Sequence, residues 1–113
     1  MNTLNNRVQL IGHLGKKPEL HTFENGKSKV SFSMATNDYH RNDDGEKVEN
    51  TEWHNVIAWG KTAEIANEYL KEGSKVAIDG RLTHRTFEDK AGNNRYFTEV
   101  VARELLMLDK KGS

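Results

Sequence analysis

Period-two alternation of apolar and polar residues recurs in five separate stretches of this chain, and a single stretch replaces it with helical spacing. In residues 7 to 14, Val8, Leu10, Gly12 and Leu14 share one parity, while Arg7, Gln9, Ile11 and His13 share the other. That is the pattern of a strand with one wet face. Val30, Phe32 and Met34 alternate in the same way with Lys29, Ser31 and Ser33. Between these two stretches lies Asn25-Gly26, a hairpin signal read as a type I′ turn because both central residues tolerate positive φ. Residues 39 to 50 are polar around Asp44-Gly45 and are expected to form a mobile loop within a long hairpin. Residues 51 to 59 resume strand composition. Residues 75 to 87 carry Val76, Ile78 and Leu82 on one parity, and residues 95 to 102 alternate after a turn at Ala91-Gly92-Asn93. A short apolar end follows at residues 105 to 108.

The exception is residues 62 to 70, where Ile65, Ala66, Tyr69 and Leu70 fall at helical spacing and predict the only helix. Thr62 is its expected N-cap and Gly73 its expected C′ stop. Three strands, one short helix and two strands, without internal repeat, is the order of the OB-fold. The expected class is therefore all-β, a five-stranded Greek-key barrel with one helix between its third and fourth strands. Such a barrel serves oligonucleotide and oligosaccharide binders, and the fold alone names no function.

With 113 residues there is material for one domain, and 35% apolar against 30% charged residues implies a thin core that oligomerisation would help. The domain is expected over residues 1–108, with a short end at 109–113. The lack of cysteine excludes disulfides, thiolate metal sites and a cysteine nucleophile, and fits a reducing compartment. Residues 1 to 10 are polar and alternating, unlike a signal peptide, and no apolar run is long enough to span a bilayer. A cytoplasmic chain without a membrane partner is expected. Seventeen basic residues balance seventeen acidic ones. A polyanion would need the two signs to segregate, leaving one groove locally positive.

Catalytic signatures fail in turn. Gly60-Lys61-Thr62 imitates the end of a phosphate-binding loop, but the required earlier glycine is Asn55, inside a strand. His13, His21, His40, His54 and His84 have no paired metal-ligand spacing, Asp43-Asp44 reads as a solvated turn, and no G-x-S-x-G nucleophile motif occurs. No enzyme activity, cofactor or metal is expected.

The informative strand is Trp53 to Trp59, whose period places both tryptophans on one face with Asn55 between them. A tryptophan alone would read as core. In the next strand, however, Arg81, Thr83, Arg85 and Phe87 share the parity opposite Val76, Ile78 and Leu82. Guanidinium groups and aromatics on a non-core face suit unpaired bases, which stack on rings while Arg and Lys follow the phosphates.

These stretches, together with Asn6-Arg7-Val8, Gly12-His13-Leu14-Gly15, Pro18-Glu19, Phe32-Ser33-Met34-Ala35-Thr36, Thr51-Glu52-Trp53-His54, Trp59-Gly60-Lys61, Ala63-Glu64, Tyr69-Leu70-Lys71, Gly73-Ser74, Arg95-Tyr96 and Thr98-Glu99-Val100, resemble the bacterial single-stranded DNA-binding protein family. The resemblance spans nearly the whole chain. It implies sequence-nonspecific binding and protection of single-stranded DNA during replication, recombination and repair, by a nucleoid-associated homotetramer. It also implies base stacking at four places. Trp53, Trp59 and Phe87 match three of them. The fourth, in the loop after Thr36, falls on Tyr39 in preference to His40, with loop length deciding which one aligns. Lys61, Arg81 and Arg85 are the phosphate candidates, each also readable as a solvated surface charge. Asn55 stands where relatives often carry a basic residue, and Lys17 replaces a common Asp with no function attached. His54 reads either as a subunit contact, which the resemblance favours, or as a strand histidine satisfied within its own chain.

Many members of that family continue through a flexible segment to an acidic tip that recruits repair and replication enzymes. This sequence reads Asp109-Lys110-Lys111-Gly112-Ser113 instead, so recruitment by that route is not expected. The rival reading keeps the OB-fold and gives the same face to a protein partner or a glycan, since aromatics suit both.

Overall fold

The computed structural model describes residues 3–109. After a single 3-10 turn at Thr3–Asn5, the chain forms β1 (Val8–Leu14), β2 (Glu19–Thr22), β3 (Ser28–Arg41), β4 (Lys47–Trp59), α1 (Gly60–Tyr69), β5 (Lys75–Glu88) and β6 (Asn94–Met107). The sheet runs β1-β5-β6-β4-β3-β2, and β1 also pairs with β3 through His13 with Ala35 and Leu14 with Met34. That second pairing closes β1, β5, β6, β4 and β3 into a five-stranded barrel, the expected OB-fold. The sixth strand, β2, was not read from the sequence. It has no buried residue and lies on β3 outside the closed ring.

The even residues of β1 point inward as the alternation requires, and Ile11 is left outside. Val30, Met34, Val56 and Val76 are fully buried, each contributing roughly 1.5–3 kcal/mol by leaving water. From α1, Ala63, Ala66 and Leu70 enter the same core cluster. Ile65 and Tyr69 do not; they stand on the exposed side of the helix. The helix begins at Gly60 with Trp59 as N-cap and no side-chain cap bond, so Thr62 lies within the first turn. β4 runs directly into the helix, leaving no linker residue to serve as cap. At the other end Leu70 is the C-cap, its N–H bonding Ala66 O. Gly73 belongs to the next turn, where its N–H donates to Leu14 O at 2.9 Å and so ties the turn to β1.

β3 and β4 stay paired through thirteen registered positions, out to Arg41 with Lys47, so the segment expected as a mobile loop is mostly a regular ribbon. Side chains hold it where no core exists. Thr51 Oγ1 donates to Asn37 Oδ1 at 2.9 Å, Asn50 and His40 meet at 3.2 Å, and Lys47 Nζ lies 4.4 Å from the Tyr39 ring centroid. β6 likewise continues to Met107, through a bulge opposite Asp79 and Gly80, instead of ending at Ala102.

The three hairpin tips share one design. In each, a first residue exchanges backbone bonds with positions three and four ahead: Phe23 with Gly26 and Lys27, Asn42 with Gly45 and Glu46, Asp89 with Gly92 and Asn93. The fourth position is a glycine with positive φ, and among the described residues no other residue type has positive φ. Asn25 therefore does not adopt the φ that a type I′ turn requires, and the tip is a three-residue turn with a glycine bulge. Asp89 closes its tip further. Its carboxylate accepts N–H bonds from Ala91 and Asn93 and the Arg95 Nε–H, and these bonds, Asn93 foremost, hold its pKa below the ordinary carboxylate range.

Two outcomes follow from these features. Gly12 faces the β1–β3 junction so closely that an added Cβ would lie 2.1 Å from Ala35 O. Gly12→Ala should therefore lower stability by about 1–3 kcal/mol in urea unfolding; an unchanged midpoint would mean that the junction parts easily. Because its pKa is lowered on folding, the Asp89 contribution is complete above the ordinary carboxylate range and is lost progressively as pH falls from that range through the lowered value, while the folded carboxylate itself takes up its proton only at the lowered value. The Ala91 and Asn93 amide shifts should stay constant on acidification until that point; movement at ordinary carboxylate pH would show an open tip.

Candidate nucleic-acid interface

Pairing register assigns the odd-numbered residues of β3, β4, β5 and the matching part of β6 to one continuous outer face. Ala35 stands opposite Trp53, Tyr39 opposite Glu49, Lys29 opposite Trp59, Arg85 opposite Phe97 and Phe87 opposite Arg95. The two tryptophans are not core: Trp53 is 61% and Trp59 44% exposed, with Phe87 and Tyr39 each at 51%. Four large rings thus lie open along one surface.

Three of the four rings have a support. A Cβ at Gly15 would come within 2.7 Å of Trp53 Cζ3, so the indole lies directly over the bare backbone after β1. Trp59 is near-parallel to Phe23, with ring centroids 6.0 Å apart and planes 21° apart, and Lys29 Nζ is 5.4 Å from its ring. Tyr39 carries Lys47 on one side. His40 has the opposite parity and turns to Asn50, so of the two loop candidates only Tyr39 shares the face of Trp53. Phe87 stands near the end of the β5–β6 hairpin, where the strands have left the barrel and side chains on both faces are exposed.

On the same face lies a groove of about 340 Å³ whose walls include none of these four rings. Lys16, Lys17, Lys29 and Arg85 wall it together with Glu19 and Glu99, four cations against two anions. The balanced total charge is therefore locally uneven. Asn55 lies in this groove, leaving a neutral amide on the strand that carries both tryptophans. Of the three phosphate candidates, Arg85 is in the groove wall. Its guanidinium lies 5.1 Å from the Phe97 centroid, and its Nε is 3.3 Å from the buried carboxylate of Glu99. Glu99 offsets part of its charge and fixes its position. Arg81 is exposed on the same face, opposite Val101. Lys61 is exposed in the first turn of α1 and is not among the residues that wall the groove.

Sequence reasoning missed Lys16, Lys17, Lys29, Phe23 and Phe97. For Lys29 a signal existed, since its odd parity in β3 placed it on the wet face. Lys16 and Lys17 lie between strands, where no periodicity assigns a direction. His54 faces the other way, half-buried, with Nε2 2.9 Å from Thr36 Oγ1, so it has a partner within its own chain. Among the described residues, no group of three or more His, Asp or Glu is placed to hold a metal ion, and no helix is long and apolar enough to cross a membrane. Residues 110–113, which bear on the expected basic ending, lie outside the described residues.

A sequence model of the Single-strand binding protein family matches residues 5–108. The chain is 45% identical over 109 residues to Single-stranded DNA-binding protein 1 of Chlorobaculum tepidum, covering 96% of this chain and 67% of that protein. It is 46% identical over 107 residues to Single-stranded DNA-binding protein 1 of Xylella fastidiosa, covering 94% and 79%. A Neisseria meningitidis single-stranded DNA-binding protein is 43% identical over 103 residues, and there the match spans 59% of the relative's length. Among solved structures, a Plasmodium falciparum SSB in complex with single-stranded DNA superposes with a TM-score of 0.85 at 26% identity, covering 92% of this chain and 95% of the other. Fold, groove and relatives agree, and the chain belongs to the single-strand binding protein family.

Proposed function

We propose that this chain binds single-stranded DNA without sequence preference, stacking unpaired bases on Trp53, Trp59, Phe87 and Tyr39 and meeting phosphates with Arg81, Arg85, Lys61 and the groove lysines. The observation that carries this reading is the row of four exposed rings on one face, interleaved with cations. Any base presents a flat π face, so stacking of this kind is sequence-tolerant and contributes roughly 1–3 kcal/mol per base. No reaction is proposed. The DNA-bound Plasmodium falciparum relative supports the choice of ligand. In the cell, the role that follows is coating and protecting unpaired strands during replication, recombination and repair, in the cytoplasm at the nucleoid.

A homotetramer is part of the same proposal. On the outer side of β1, β5 and β6, Ile11, Ala77 and Leu106 form one cross-strand row, with Ile11 60% and Leu106 64% exposed. Charged Arg7, Asp79 and Glu104 border it. An apolar centre with a polar rim suits contact between copies. His54 is the further interface position, carried over from the family resemblance.

Tryptophan fluorescence should be quenched by oligothymidine and far less by duplex of matched length. Affinity should fall with salt by about 0.7 log units per phosphate contact for each decade. Trp53→Ala should lose about 1–3 kcal/mol of affinity with the fold intact, because the ring is exposed. A salt-insensitive or absent response would favour a protein or glycan ligand. In sedimentation equilibrium the protein should behave as four protomers and Ile11→Glu as a smaller species; a monomeric parent protein would refute the assembly.

A further inference from the structure

Beyond Trp59 the groove continues onto surface that holds none of the residues singled out in the sequence as ligand contacts. In register, His21 on β2, Lys29 on β3 and Trp59 on β4 stand in one cross-strand row of the outer face. Phe23, just past the end of β2, lies near-parallel to Trp59, and His21 meets the Phe23 ring edge-on with centroids 4.3 Å apart. Phe23 is 40% exposed. A hollow of about 300 Å³ is walled by Glu19, His21, Phe23, Lys29 and Ser31. Glu19, Lys29 and Ser31 also wall the main groove, so the two form one path.

That surface offers an open ring for a base and a cation for the phosphate beside it. We propose that Phe23, His21 and Lys29 form a further nucleotide subsite, in which an unpaired base stacks on Phe23 while Lys29 neutralises the phosphate arriving from Trp59. The subsite rests on the single-stranded DNA reading of the groove and extends the strand's path from β4 across β3 to β2. Glu19 at its wall disfavours a phosphate there, which leaves Lys29 as the phosphate contact and the rings as base contacts. The competing explanation is that Phe23 only covers one side of Trp59 and touches no ligand.

Oligothymidine carrying 5-iodouracil, irradiated in complex with the full chain and mapped by peptide mass spectrometry, should crosslink to Phe23 or His21 in addition to the four platforms. Phe23→Ala should weaken oligothymidine binding roughly 5- to 150-fold. Phe23→Tyr should restore it. Phe23→Leu, which still covers Trp59 but has no π face, should remain weak, with thermal unfolding confirming that each variant is folded. Wild-type affinity in Phe23→Leu, or crosslinks confined to Trp53, Trp59, Phe87 and Tyr39, would overturn the subsite while leaving the groove reading intact. Failure of the parent protein to bind oligothymidine would instead remove the groove reading itself, and the subsite with it.

Discussion

The junction of β1 with β3 is the contact on which the rest of the molecule depends. β1 pairs with β5 along most of its length and with β3 at its end. One short strand thereby closes the sheet. Closure brings the backbone at Gly12 against the Ala35 carbonyl, where no side chain fits, and a second close approach, Gly80 on Val101 O, sits at the bulge where β5 meets β6. A flat sheet of these strands would expose both faces; a closed one has an inside, and the thin apolar content of the chain is enough to fill it.

Closure also converts strand parity into an open outer face. Once the even residues of β3 and β4 are committed to the interior, the odd residues have nowhere to go but the outer face, and the open rings follow. Exposed aromatics are costly to leave in water, and here three of the four lean on something that reduces the area they present: Trp53 on Gly15, Trp59 on Phe23, Tyr39 beside Lys47. A second face of each ring stays available. The β3–β4 and β5–β6 ribbons project beyond the core, held by backbone pairing and by side-chain contacts across the strands, and a two-stranded ribbon without a core has little stability of its own.

The electrostatics follow the same division. A chain with no net charge still walls its groove with four cations and two anions. One of those anions, Glu99, is buried and spends its charge on holding Arg85 over Phe97. Arg85 is consequently a guanidinium held over an aromatic ring, a placement that no count of charges reveals.

The sequence by itself determined the barrel strands, the single α-helix and the face on which Trp53, Trp59, Arg85 and Phe87 lie, because a period of two is a local property that survives any tertiary arrangement. It could not determine β2, the full length of β3 and β4, or the helix cap. β2 has no buried residue to impose alternation, the ribbons are held by polar pairs across strands, and the helix start is set by the chain leaving β4. That Tyr39 and not His40 lies on the face of Trp53 needed the register of thirteen paired positions. Lys16 and Lys17 reached the groove, and Phe23 the hollow beside it, only through chain reversals outside the barrel strands, so their direction is a consequence of closure and of hairpin geometry, which no local pattern encodes.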